Sequence, residues 1–310
     1  ALKYQKVKVL YKDKDNVFGV YSMTDDNTVV SNVMDNVKLD NSKLKIDGTK
    51  YTIASSSEVY VDGALQYVKT VDGSGNVTAF TSKTAEAVQV NNAARVATIS
   101  EWVSKNSEGD NIGKASSVQA ISNTDSSKIN ILKVTTYSVE KVTYVGTDYI
   151  NAGGARKDDA YNYPSDIKKD DYVVISKAGN YADDKGLITK AETVEGKIEA
   201  FKASDSQIRV NGNWYKFSAN TAVATDFTNS ALTSSDVDDT YKLIVDGKYY
   251  VAYNKISGFN NYAVATKGTT EFGDTRVKLL KADGSEVTTT VDELKDRAAL
   301  PANTLKASGV

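Results

Sequence analysis

"KLKIDGTKYTI" occupies residues 43–53 and "QIRVNGNWYKF" residues 207–217. Both run from alternating apolar residues through an Asx-Gly pair into an aromatic side chain. Asp47-Gly48 and Asn211-Gly212 are dipeptides favoured in two-residue type I′ turns, where both turn positions take positive φ. Folding the first stretch about its turn sets Leu44 opposite Tyr51, Lys45 opposite Lys50 and Ile46 opposite Thr49. Leu44, Ile46, Tyr51 and Ile53 then share one face. The second stretch gathers Ile208, Val210, Tyr215 and Phe217 in the same way. On its other face Arg209 stands against Trp214, a cation–π geometry and a candidate ligand contact. A slip of one residue would turn the apolar set to water, so turn and pattern agree on register. Each stretch reads as a β-hairpin.

The same grammar recurs outward from these two. Asx-Gly pairs stand at Asp62-Gly63, Asp72-Gly73, Asp246-Gly247 and Asp283-Gly284. In "YKLIVDGKYYVAY" (241–253), Leu243, Val245 and Tyr250 fall on one face and Ile244, Tyr249, Val251 and Tyr253 on the other. A strand apolar on both faces is central in a core or part of a contact surface. In "RVKLLKADGSEVTTTV" (276–291) a two-residue turn sets Lys281 opposite Glu286. "PSDIKKDDYVVI" (164–175) echoes "SSDVDDTYKLIV" (234–245), with a tyrosine opening a strand in each, which suggests a diverged repeat. "ARVATISEWVSK" (94–105) is a candidate short helix with Val96, Ile99, Trp102 and Val103 on one side. "TTVDELKDRAAL" (289–300) is another, with Thr290 and Glu293 spaced as a capping box.

These signals predict a mainly β chain of tandem small antiparallel β modules, sandwich- or barrel-like, with one or two short helices. The expected division is 1–140, with a polar insertion near 83–130, then 141–257, then a small or truncated module over 258–310.

Composition narrows the chemistry. The 310 residues include no cysteine and no histidine, so disulfides and thiolate or imidazole metal sites are excluded. Net charge is −2, and only Arg95, Arg156, Arg209, Arg276 and Arg297 are arginine, few for a phosphate-reading protein. No apolar run reaches the roughly 20 residues that span a bilayer as a helix. The opening "ALKYQKVKVL" has no signal-peptide core and reads as a mature or excised segment. No phosphate-binding glycine loop is present, and "INAGGARKDD" (150–159) lacks its spacing. The reading is of no catalytic site and no cofactor other than calcium. Among the acidic clusters, Asp236, Asp238 and Asp239 in "SSDVDD" are the candidate calcium ligands, because alternating acids can converge on one ion. The competing reading of such clusters is solvated turn chemistry. Trp102, Trp214 and "YNYP" (161–164) are candidate sugar-stacking aromatics, although aromatics in alternating strands usually serve a core.

"VKVLYKDKDNVFGVYSMTDDNTVV" (7–30), "INILKVTTYSVEKVTYVG" (129–146) and "VATKGTTEFGDTRVKLLKADGSEV" (264–287) resemble the β-rich body segments of clostridial-type surface proteins that carry S-layer homology modules. No such module lies in these residues. The resemblance implies an exported, wall-associated structural protein at the bacterial cell surface, working through module–module and self-assembly contacts. Its implied partners are copies of itself or other surface-layer proteins, with cell-wall polymer reached only through segments outside these residues, no nucleic acid and no membrane insertion. The family's acidic loop before "INILKV" is replaced here by "SNTDSSKIN" (122–130), where Asp125 is the sole carboxylate, too few for calcium. The alternative is an extracellular adhesin or glycan-binding module that uses exposed aromatics.

Overall fold

The computed structural model of the chain describes residues 2–124, 127–176, 185–219 and 227–256, and the strands Ala263–Glu271, Asp274–Lys281 and Glu286–Thr290. It is mainly β. Both opening stretches are hairpins in the expected register. Leu44 pairs with Tyr51 and Ile46 with Thr49; Ile208 pairs with Tyr215 and Arg209 with Trp214. The turns take the left-handed conformation that Asx-Gly pairs permit, with φ of 46° and 83° at Asp47 and Gly48 and 48° and 79° at Asn211 and Gly212.

Each hairpin is the second and third strand of a five-stranded module. The third module shows the closed form. Its strands Glu192–Lys202, Gln207–Val210, Asn213–Phe217, Thr240–Asp246 and Tyr249–Lys255 close into a barrel in the order one-two-three-five-four. Strands three and five run parallel, and strand four returns antiparallel to strand one. Closure leaves the sheet without a free edge.

The second module takes the same path through Tyr137–Val145, Tyr149–Ala152, Ala155–Lys157 continued by Tyr161–Asn162, Tyr172–Ser176 and Gly186–Lys190. Its third and fifth strands are again parallel and its first and fourth antiparallel. In the first module the path runs through broken strands. Thr28–Val33 continues past the turn Met34–Asn36 as Val37–Asp40, followed by Lys43–Ile46. Thr49–Tyr51 continues past Thr52 as Ile53–Val61, and Ser117–Ser122 and Ile129–Thr135 complete the set. Ile53–Val61 is parallel to Ile129–Thr135, and Thr28–Val33 antiparallel to Ser117–Ser122.

The second and third modules also match in detail. In each, a bulge interrupts the pairing of strands one and two. Val142 pairs with Ala152 and Tyr144 with Asn151; Ile198 pairs with Val210 and Ala200 with Arg209. Thr143 and Glu199 are the extra residues. Opposite each bulge an aspartate in left-handed conformation, Asp170 (φ 73°) or Asp238 (φ 76°), precedes strand four. Asp170 N donates to Val142 O at 2.8 Å while Val142 N donates to Asp171 O. Asp238 N donates to Ile198 O at 3.0 Å while Ile198 N donates to Asp239 O. The residue before each bulge, Lys141 or Lys197, holds the aspartate's carboxylate at 3.4 or 2.6 Å. The sequence echo at 164–175 and 234–245 is thus a structural repeat, with one correction. Lys141 pairs with Tyr172 and Lys197 with Thr240, so Tyr172 corresponds to Thr240 and not to Tyr241.

The modules join in one unit over 1–254, and 255–310 form a second. The boundary expected near 140 lies inside the strand Tyr137–Val145. The path passes from the first module to the second at Thr136, whose N–H and hydroxyl both donate to the Asp62 carboxylate at 2.8 and 2.7 Å. It passes from the second to the third at Ala191. Ala115, Tyr137, Val139, Ile244, Tyr249 and Val251 share one core drawn from all three modules, which makes them a single unit. The strand apolar on both faces is central: Leu243, Val245 and Tyr250 fill the barrel, and Ile244, Tyr249 and Val251 face this shared core. Tyr253 departs from the expected face and packs against the barrel core.

The stretch 83–130 holds more than an insertion. Thr98 and Glu101 form a capping box for the helix Ile99–Lys105, which buries Ile99, Trp102 and Val103. Ser117–Ser122 is a strand of the first module, with Val118 and Ala120 in its core. In the last sheet Glu286 lies opposite Leu280 and not Lys281, and its carboxylate reaches Lys278 at 2.5 Å. Thr289 and Thr290 are strand; the rest of the helix expected over 289–300 lies outside the described residues.

Candidate functional site

Two surfaces stand out in 1–254. One is the junction of the three modules. Asp35 follows Met34 in the turn that breaks the first strand of the first module, and its side chain is only 7% exposed. Lys216 Nζ lies 2.7 Å from Asp35 Oδ1, and the Tyr249 hydroxyl donates to Oδ2 at 3.1 Å. Lys114 Nζ adds a longer contact at 3.7 Å. Burial and the Asp35 charge both push the Tyr249 hydroxyl pKa up. Beside this cluster, Ala115 N donates to the buried Ser218 Oγ at 3.0 Å. A side chain at Gly113 would fall 2.6 Å from the Ala219 carbonyl, so the approach there needs glycine. Removing one partner of a buried, bonded charge costs more than an exposed pair contributes, so this cluster fixes how the modules meet.

At the same junction lies a cleft of about 520 Å³. Ser117 and Thr135 of the first module, Ser176, Thr189 and Lys190 of the second, and Glu192 and Asp246 of the third line it. Lys190 is held by Asp166 at 3.0 Å and Asp171 at 3.3 Å. Asp246 is solvent-exposed at the rim, yet desolvation and then the Glu192 charge raise its carboxyl pKa. The cleft therefore offers hydroxyls, the Glu192 and Asp246 carboxylates and the ion-paired Lys190 beside the apolar Ala115, Val174 and Val245.

The second surface is the hairpin of Val7–Asp13 and Asn16–Ser22. Val7, Val9, Leu10, Tyr11, Val17, Phe18, Val20 and Tyr21 are all exposed, Phe18 to 74%. Solvent-facing apolar groups gathered on one small element mark a contact site.

The residues singled out from sequence are not gathered into one site. Asp236 Oδ2 accepts from Thr233 N at 2.8 Å and Oδ1 accepts from the Tyr241 hydroxyl at 2.6 Å. Asp238 pairs with Lys197, and Asp239 contributes its backbone carbonyl to Ile198. The three aspartates thus secure the bulge and the start of strand four. Among the described residues no group of three or more acids is placed to hold a metal ion. Trp214 is 41% exposed on the outer barrel face, opposite Arg209, whose Nε lies 3.0 Å from Glu199. Trp102 is in the core of the first module, and Tyr161 and Tyr163 pack against that of the second. Asp125 lies outside the described residues.

No protein-family model matches this chain, and no curated protein does. Function is therefore read from these surfaces. Sequence reasoning missed Asp35: its partners Lys216 and Tyr249 are 181 and 214 residues away, and nothing local marks it.

Proposed function

We propose that this chain is a non-catalytic structural component of a bacterial surface layer or wall-associated coat, working through module–module and self-assembly contacts. The observation that carries the reading is the repetition of one five-stranded path along the chain, preceded by an apolar hairpin that faces solvent. Repeated modules fixed in one unit make a stiff body, and an exposed apolar element supplies a contact between bodies. The resemblance of residues 7–30, 129–146 and 264–287 to surface-protein body segments points the same way. The test concentrates the purified chain for negative-stain imaging and labels intact producing cells with antibodies against it. Ordered assemblies and surface labelling are expected. A chain that stays monomeric at its highest soluble concentration, and labels only broken cells, overturns the reading.

A second reading rests on Trp214. An exposed indole beside Arg209 is suited to stack on a sugar ring, as in an adhesin or glycan-binding module. Glycan-array binding by the chain that is lost in Trp214→Ala, with melting temperature unchanged, favours this reading over the first.

A further inference from the structure

The cleft at the junction borders both passages of the chain from one module to the next. Thr135 and Tyr137 flank the first passage, and Lys190 and Glu192 flank the second. Cross-strand pairs carry the lining from one passage to the other. Ser117 lies opposite Thr135, Tyr137 opposite Ser176, Val174 opposite Thr189 and Glu192 opposite Val245. Ser117 and Thr135 face outward because their neighbours Val118 and Val134 fill the core of the first module. Ala115, Tyr137 and Val174 belong to the core shared by all three modules, so the floor is firmly packed. The volume of about 520 Å³ lies in the range of small-molecule sites, which favour such junctions.

The polar groups of this cleft are left available by the protein itself. Among the described residues, the hydroxyls of Ser117, Thr135, Ser176 and Thr189 and the carboxylates of Glu192 and Asp246 have no hydrogen bond or ion pair with another protein group. Lys190, the cation in the lining, is taken by Asp166 and Asp171 from outside it. The Glu192 charge acts on Asp246 as a like-charge repulsion that a bound cation relieves. The hydroxyls call for a ligand with donors and acceptors of its own. A second depression of about 270 Å³ shares Ser117 and Thr135 and continues over Ser31, Asn32 and Gln119, again hydroxyls and amides. Lys133 lines it with no acidic partner among the described residues and repels cations there, so positive charge is favoured at one end only. We propose that this cleft binds an amine-bearing saccharide, with its ammonium between Glu192 and Asp246 and its hydroxyls on those of Ser117, Thr135, Ser176 and Thr189. Two carboxylates are few for calcium, which takes about six to eight oxygens. A plain alkylamine would leave the hydroxyls unmatched. Trp214 does not line the cleft, and the cleft forms within one chain. The inference therefore stands apart from both the self-assembly reading and the sugar-stacking one.

The test titrates the isotope-labelled full chain with D-glucosamine and follows backbone amide shifts by NMR. Shifts are expected at Thr135, Ser176, Glu192 and Asp246. Glucosamine should bind about tenfold more tightly than glucose, in which a hydroxyl replaces the ammonium, as expected for one charge-assisted contact. Glu192→Gln with Asp246→Asn should remove that preference. Both side chains are exposed, so the fold should persist, checked by a melting temperature no lower than the parent's. Ser176→Ala with Thr189→Val should weaken both sugars alike and keep their ratio. Trp214→Ala should change neither. The assignment is overturned if glucosamine gives no shift at the cleft, if glucose binds equally well, or if butylamine binds as tightly as glucosamine. Calcium-dependent shifts at Glu192 and Asp246 with none from glucosamine overturn it as well. Glucosamine binding that is lost in Trp214→Ala belongs to the sugar-stacking reading and overturns this one.

Discussion

The second and third modules share a strand path, a bulge, a left-handed aspartate and a lysine that holds it, yet they fill their interiors differently. Val142, Ile150, Val173, Ile175 and Ile188 make an aliphatic core in the second. The third packs Tyr215, Tyr241 and Tyr250 with Phe201 and Phe217 at its edge. The long connection before strand four supplies hydroxyl partners for two of these tyrosines. Tyr250 accepts from Leu232 N at 2.8 Å, and Tyr241 donates to Asp236. The modules also exchange bulk at one contact. Glu140 on strand one of the second module lies over Gly153 in the turn; in the third, Gly196 on strand one lies under Asn211 in the turn. Backbone register and turn geometry hold the path constant, and side-chain volume is free to vary so long as the sum at each contact is kept.

The comparison breaks most sharply in the cores. Tyr250→Ala is expected to cost about 3–5 kcal/mol and Ile175→Ala about 2–5. Tyr250→Phe leaves the Leu232 N–H unpaired and costs about 1–3 kcal/mol. Denaturant unfolding followed separately through Trp102 and Trp214, in Trp214→Phe and Trp102→Phe backgrounds, should show one coincident transition, because the modules share a core. Two separated transitions would mean that each module stands alone.

The exchanged contact gives the next largest effect. Gly196→Ala brings a methyl within 2.6 Å of Asn211 Oδ1 and 2.8 Å of Val210 Cγ1 and should cost about 1–3 kcal/mol. Adding Asn211→Gly should restore part of it, read as a coupling energy in a double-mutant cycle. Gly153→Ala meets only the mobile end of Glu140, but its φ of 60° adds about 1–2 kcal/mol of strain that Glu140→Gly does not relieve. Equal rescue in both modules would show that the contacts are not equivalent in the way described.

The left-handed aspartates should respond alike. Asp170→Val and Asp238→Val are each expected to lose about 1–2 kcal/mol from strain, read as a lowered denaturation midpoint. Asp238→Asn, which keeps the conformation and removes only the exposed pair with Lys197, should change stability by about 0–1 kcal/mol. A larger loss for the asparagine than for the valine would make charge, and not backbone, the reason for aspartate there.

The smallest effect is a pH dependence at the cleft rim, present in the third module and without counterpart in the second. The folded-state pKa of Asp246 is raised above its unfolded value. Its protonated form therefore favours folding, a contribution complete below the unfolded carboxylate pKa and lost as pH rises through the folded one. Asp246→Asn is expected to raise the melting temperature slightly at neutral pH and to leave it unchanged at acid pH; because the group is exposed, the gain should stay under about 1 kcal/mol. A gain that grows as pH falls has the wrong sign and removes the proposed cause.

How far the sequence could be read varies from segment to segment. The hairpins at 43–53 and 207–217 were legible because an Asx-Gly turn and period-two apolarity are local and point to one register. The helix Ile99–Lys105 was legible through its apolar side, and the Thr98–Glu101 capping box then fixes its start. The role of Asp236, Asp238 and Asp239 was not legible, because aspartate serves turns, caps and left-handed positions as well as metals; in the fold Asp236 caps a turn, Asp238 takes a left-handed φ and Asp239 gives its carbonyl to Ile198. The change of module at Ala191 carries no composition shift, since one strand follows another with a single residue between.

The sequence by itself therefore determined the Asx-Gly hairpins, their two-residue turns and the mainly β class, since these rest on preferences set within a few residues. Only the tertiary structure decided that the strands close in the order one-two-three-five-four, and that Asp35 meets Lys216 and Tyr249 across modules. Those pairings join residues far apart in the chain, where the free energy comes from burial and shared hydrogen bonds. No local pattern encodes which distant partner will be there.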